Sequence, residues 1–189
     1  EEPVEIAMFL HGSFAETGEG HGTDRALIAG VLGMQPDDER IPHSFELARE
    51  SGISIEKASI HLRNVHPNTV LLKVTGQNNR VLEVVGSSLG GGRIQICQID
   101  GMKTRFSGEA PTLVVRNFDQ PGHVADVTRL LAEEQVNIAS MHISRDVRGG
   151  YAVMVIETDH PIPEPLLKNL RTLDGILQVT CINLSREEK

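Results

Sequence analysis

A chain of 189 residues, 39% hydrophobic and 23% charged, has room for one large domain or two small ones. A formal net charge of -8 argues against general nucleic-acid binding and against docking on anionic lipid, both of which need a basic surface. No apolar run nears the roughly 20 residues of a membrane span, so no membrane partner is expected.

Aromatic residues make up 3% of the chain and Trp is absent, which leaves the core to Val, Ile, Leu, Met and Ala. No leader peptide is legible at the start. The two cysteines, Cys97 and Cys181, lie in alternating, strand-like runs. With so few thiols a disulfide framework is not expected, and a reducing cytoplasm is the simplest compartment. Nor can two thiolates hold an iron–sulfur cluster, which normally takes three or four.

Residues 4–13, VEIAMFLHGS, read as a strand running into a Gly-rich loop. A helix is expected around 23–33 and another over 43–52. Strands are expected over 53–61, 69–75, 80–87 and 92–99. The stretch 101–111, GMKTRFSGEAP, has no apolar period and reads as a linker. Beyond it come a strand at 112–117 and a turn at 118–123, then a helix through Val124, Val127, Leu130 and Leu131. A strand at 136–146, an RGG turn, a strand at 151–159, a helix at 163–173 and a strand at 176–184 complete the pattern. This is an α+β chain: residues 1–101 form a mixed N-terminal domain, and 110–189 a βαββαβ, ferredoxin-like domain.

Four segments could carry chemistry. In HGSFAETGEGHGTDRA, residues 11–26, glycines let the backbone approach a ligand, and His11 and His21 bracket the loop as candidate proton-transfer groups. Gly20, Gly22, Thr23 (the expected N-cap) and Asp24 open a helix whose free N–H groups suit a carboxylate or phosphate. The pattern alone reads equally as a flexible turn with exposed histidines. It is no dinucleotide fingerprint, because Thr23 stands where the last Gly of GxGxxG would fall.

In HPNTV, residues 66–70, Asn68 and Thr69 could bond a polar ligand or merely shape a turn. GSSLGGG, residues 86–92, offers Ser87 and Ser88, or a mobile hairpin loop. In FDQPGH and the following helix, the Asp119 carboxylate and the helix-start N–H groups could take both ends of an amino-acid zwitterion; an ordinary turn explains the pattern as well. No Ser/His/Asp or Cys/His triad and no metal constellation is legible. His123, His142 and His160 read as surface or strand residues.

The fourth segment, with its DxPG turn and VNIASM strand start, resembles the ACT domain family over residues 110–185. ACT domains are regulatory modules that pair across chains and bind amino acids. The resemblance implies a homodimer through this domain and effector-site candidates Asp119, Gly122, Asn137 and Ile138, with L-serine or a related amino acid as ligand. HGSFAETGEGHGTDRALIAGVLGM, followed in order by HPNTV and GSSLGGG, resembles the β subunit of iron–sulfur-dependent L-serine dehydratases over essentially the whole chain. That family converts L-serine to pyruvate and ammonia with a [4Fe–4S] cluster acting as Lewis acid. Given the cysteine count, the resemblance implies that an α subunit holds the cluster and that His21 acts at the substrate.

A Ser-Ser-Ser-His-Thr segment that the family carries ahead of the first strand is absent from this sequence, so the chain by itself is expected to be inactive. A related domain occurs in some phosphoglycerate dehydrogenases, which leaves a purely regulatory amino-acid-binding module as the alternative. A structural domain without ligand is the remaining possibility.

Overall fold

The computed structural model describes residues 2–183. The chain forms two compact units, residues 1–94 and 95–189.

In the first unit β1 (Pro3–His11) is followed by a short helix α1 (Ser13–Thr17), then α2 (Thr23–Val31), α3 (Ser44–Glu50), β2 (Ser54–Ile60), β3 (Thr69–Gly76) and β4 (Val81–Gly90). The strands lie in the order β2-β1-β3-β4. β1 runs parallel to β2 and antiparallel to β3. Alternation along β1 sends Ile6, Met8 and Leu10 to one face, where they pack with Ile28 of α2, Ala48 of α3 and Val70 of β3. The two longer helices thus cover one face of the sheet.

Two local features differ from the sequence reading. The loop after His11 begins with a helical turn, α1, which the glycine content conceals. The N-cap of α2 is Gly22 in the left-handed region (φ 69°), and Thr23 is the first helical residue. Its hydroxyl makes no capping bond, so Thr23 is not the cap that its residue type suggests.

The second unit contains β5 (Arg93–Ile99, from Gln95 onward) and β6 (Met102–Phe106). It continues through β7 (Thr112–Phe118), α4 (His123–Glu133), β8 (Ile138–Arg145), β9 (Tyr151–Thr158), α5 (Glu164–Thr172) and β10 (Ile176–Ile182). From β7 onward the order is βαββαβ, as the sequence pattern indicates. The last expected strand position, Leu184, lies outside the described residues. The sheet order is β10-β7-β9-β8 with antiparallel pairs throughout. One face carries Leu113, Val115, Met154 and Ile156 against Val127 and Leu131 of α4 and Leu166 and Leu170 of α5.

Residues 102–106 are not a linker. β6 pairs with β5, and its Met102 and Phe106, each 5% exposed, pack on Val114, Val153 and Val155. These sit on the sheet face opposite α4 and α5. Charged Lys103 and Arg105 alternate with the buried Met102, Thr104 and Phe106, a period-2 signal obscured by its brevity and by flanking glycines. Among the described residues, no helix is long and apolar enough to cross a membrane.

Candidate functional site

Strand register brings three of the four sequence motifs onto one line. Across the first sheet His11 of β1 pairs with Ile60 of β2 and with Thr69 of β3, and Thr69 pairs with Ser87 of β4. Residues opposite one another in a ladder share a face, so His11, Thr69 and Ser87 lie in a transverse row on the face away from α2 and α3. The Thr69 and Ser87 hydroxyls are 2.6 Å apart, and the Thr69 hydroxyl also reaches the His66 carbonyl at 2.6 Å. Both residues are buried, so each hydroxyl spends its bonding capacity within the site.

The turn after His11 closes on the second motif. Ser13 donates its N–H to the Pro67 carbonyl at 3.0 Å. Gly12 has φ 55°, and a Cβ there would stand 2.6 Å from the same Pro67 oxygen; no L side chain fits. Ser88 N–H in turn donates to the Asn68 carbonyl at 2.9 Å. HGS, HPNT and GSS therefore form one backbone-bonded assembly, although they are far apart in sequence.

His11 is half-buried and its ring meets His61 edge-on, with centroids 5.5 Å apart. The Leu62 N–H points at His11 Nδ1 at 3.2 Å, and the Ile60 carbonyl lies 3.3 Å from the same nitrogen. A neutral ring accepts from Leu62 at Nδ1 and so carries its proton on Nε2. A protonated ring turns Nδ1–H to Ile60 and leaves the Leu62 N–H unpaired. Sequence reading gave His61 no role, because its partner lies 50 positions back on another strand.

The other candidates of the first motif gather on the opposite face. Lys57, whose register partner is Met8, shares the helix-covered side. Its ammonium reaches Asp24 at 2.7 Å and Glu19 at 3.2 Å. The Asp24 side chain is 7% exposed and that of Glu19 83%. The bond from Asp24, joined by that from Glu19 and opposed by burial, raises the Lys57 pKa above its ordinary value. Asp24 is thus already engaged. Gly20, His21 and Gly22 lie between these two carboxylates in an exposed or half-exposed turn. It is held by backbone bonds from His21 to Thr17, from Gly22 to Glu19 and from Thr23 to Gly18. The His21 ring has no hydrogen bond among the described residues. A cleft of about 280 Å³ opens beside Lys57, lined also by Asp24, Phe45, Arg49 and Glu19.

In the second unit the Asp119 carboxylate accepts bonds from the Gly149 N–H at 2.9 Å and from Arg145 at 3.1 Å. These contacts, the backbone bond first, hold its pKa below the ordinary carboxylate value. Gly122 precedes α4 with φ 105°. Asn137 donates to Asp159 at 2.6 Å, and Ile138 packs on the core under α4 and α5. His123, read from the sequence as a surface or strand residue, opens α4 and is half-buried with its ring against Gly175.

Among the described residues no three His, Cys, Asp or Glu side chains cluster as a metal-ligand set. Burial raises the Cys181 thiol pKa, which disfavours the thiolate that iron binding requires.

Comparison with known proteins matches the chain to two families. Residues 1–98 match the serine dehydratase beta chain, and residues 112–175 match the ACT domain. The chain is similar to a probable L-serine dehydratase beta chain of Bacillus subtilis, with 39% identity over 96% of this chain and 82% of that one. It is similar also to the L-serine dehydratase beta chain of Peptoniphilus asaccharolyticus, with 39% identity over 86% and 73%. A D-3-phosphoglycerate dehydrogenase of Bacillus subtilis aligns at 26% identity over 97% of this chain but only 35% of its own length. The family match over more than half the chain, with relatives alike over most of their length, shows that the chain belongs to the serine dehydratase beta chain family.

Proposed function

We propose that the chain works as the β subunit of an L-serine dehydratase and, with an α subunit, converts L-serine to pyruvate and ammonia in the cytoplasm. The observation that carries this reading is the transverse row His11–Thr69–Ser87, closed by the Gly12–Pro67 contact. It draws the family's three motif segments into one polar assembly at a strand end.

In this reading His11 holds a proton on Nε2 and His21 serves the substrate as acid, base or orienting group. Gly20 leaves the backbone open to the substrate carboxylate, Gly22 and Thr23 hold the turn in shape through their N–H bonds to Glu19 and Gly18, and Asp24 fixes the helix start. Asn68 and Thr69 shape the polar wall. The overall reaction eliminates water across the Cα–Cβ bond of serine, and hydrolysis of the resulting enamine–imine gives pyruvate and ammonia.

The chain's own donors do not fit an iron–sulfur cluster. Two thiols fall short of the three or four required, and one of them is disfavoured as thiolate. An iron–sulfur cofactor, [4Fe–4S] in the family resembled, is therefore assigned to the α subunit. The ACT unit is proposed to pair with a second copy through its edge strands, β8 and β10, whose ladder groups are free on one side in the order β10-β7-β9-β8. L-serine or a related amino acid is proposed as its effector, at Asp119, Gly122, Asn137 and Ile138.

Co-purification with a cysteine-bearing α chain under anaerobic conditions, followed by a pyruvate assay on L-serine, tests the reading. Amino-acid binding by an assembled complex without pyruvate formation would favour the purely regulatory alternative.

A further inference from the structure

We propose that Lys57 is a positioning residue for His21, latching both ends of the turn that carries it onto the sheet. The proposal rests on the reading of His21 as a residue that acts on substrate. Glu19 and Asp24 bracket Gly20, His21, Gly22 and Thr23 in sequence, and one ammonium binds both carboxylates, at 3.2 and 2.7 Å. The turn has little else to fix it. Three backbone bonds close it internally, to Thr17, Gly18 and Glu19, and the His21 ring makes no hydrogen bond among the described residues. Gly22 adds a left-handed residue (φ 69°) that costs glycine nothing and leaves the chain free to depart from it.

Lys57, by contrast, sits within β2 opposite Met8 of β1, a core residue at 0% exposure. The latch thus ties a turn with few restraints to an edge strand that is paired along its whole length with the central strand β1. Its two arms are unequal. The Asp24 carboxylate is buried and also accepts the Arg25 N–H at 2.9 Å, whereas Glu19 is largely in solvent. Asp24 fixes the helix start; Glu19 sets where the preceding glycines lie. A misplaced acid or base loses rate steeply, because proton transfer demands near-contact geometry.

The test uses the α/β complex, with kcat and KM for L-serine measured on four forms. Lys57→Arg, whose fork can still bridge two carboxylates, is expected to keep kcat within about threefold. Lys57→Met combined with Asp24→Asn removes the latch without stranding a buried charge. It is expected to lower kcat by about tenfold to a hundredfold while changing KM much less. Glu19→Gln leaves the buried arm intact and guards against misfolding of the double variant. It is expected to lower kcat a few-fold with an unchanged melting temperature.

In the β chain alone, amide exchange at His21, Gly22 and Thr23 is expected to accelerate in the double variant. Wild-type kcat in both the double variant and Glu19→Gln, or unchanged exchange at those amides, overturns the proposal. Failure of the wild-type complex to consume serine would sink the functional reading instead, and the exchange measurement would still decide the latch.

Discussion

Leu62 donates its backbone N–H to Nδ1 of His11 across 3.2 Å, so the segment after β2 holds the ring of a histidine at the end of β1. The bond makes His11 both a structural acceptor and a candidate proton carrier, and the two roles separate by substitution. Asn offers an oxygen close to the position of Nδ1; Ala does not. His11→Asn is expected to unfold at a higher denaturant concentration than His11→Ala, by about 1 kcal/mol in stability. Both are expected to lose about 10²–10⁴-fold in turnover within the complex. Equal stability of the two variants would remove the structural role.

Gly12 is expected to tolerate no side chain. Gly12→Ala places a Cβ against the Pro67 carbonyl at a φ of 55°, a combination that costs about 1–3 kcal/mol in backbone strain alone. Chemical denaturation of the isolated chain should show that loss, and a variant as stable as the parent would contradict the close approach.

The strand at 102–106 also makes a measurable claim. Phe106 is 5% exposed and belongs to a core cluster with Val114, Val153 and Val155. Phe106→Ala is expected to destabilise the second unit by about 3–5 kcal/mol. A linker residue would lose within about 0.5 kcal/mol, so one thermal melt separates the two descriptions.

Asp119 gives a pH signature. Its folded-state pKa lies below the ordinary carboxylate value, first through the Gly149 N–H and then through Arg145. Such a group contributes stability above its unfolded pKa, about 3.9. The contribution fades as pH falls below that value and is gone once the folded pKa is passed. The stability difference between parent and Asp119→Asn should therefore be constant near neutral pH and shrink in acid below about pH 4. A difference that grew on acidification would reverse the sign and contradict the assigned contacts.

Much of the ACT-type unit was legible in the sequence because its signals are local: short continuous apolar runs at 113–115 and 152–156, a helical stripe through Val127 and Leu131, and turns marked by Pro121-Gly122 and Gly149-Gly150. β6 was missed because a five-residue strand with two cations and one threonine looks polar in composition, although Met102, Thr104 and Phe106 alternate correctly. The candidate residues of the first unit were visible as motifs, but their grouping was not. Only the β1–β3–β4 register shows that His11, Thr69 and Ser87 share one face, and only the fold reveals that Lys57 engages Asp24. Long-range pairing carries no local sequence signal, and so the split of the first motif between two sheet faces could not be read from its spacing.

The proposed role of this chain is to complete a serine dehydratase. The most direct measurement is pyruvate formation from L-serine under anaerobic conditions by the α chain alone, by the α/β complex, and by the complex carrying His21→Ala, with iron content and assembly checked in each preparation. Turnover is expected from the wild-type complex only. The His21→Ala complex should assemble and hold iron normally, stay within about 0.5 kcal/mol of wild-type stability, and fall about 10²–10⁴-fold in rate. Full turnover by the α chain alone, or near-wild-type turnover by an intact His21→Ala complex, would contradict it.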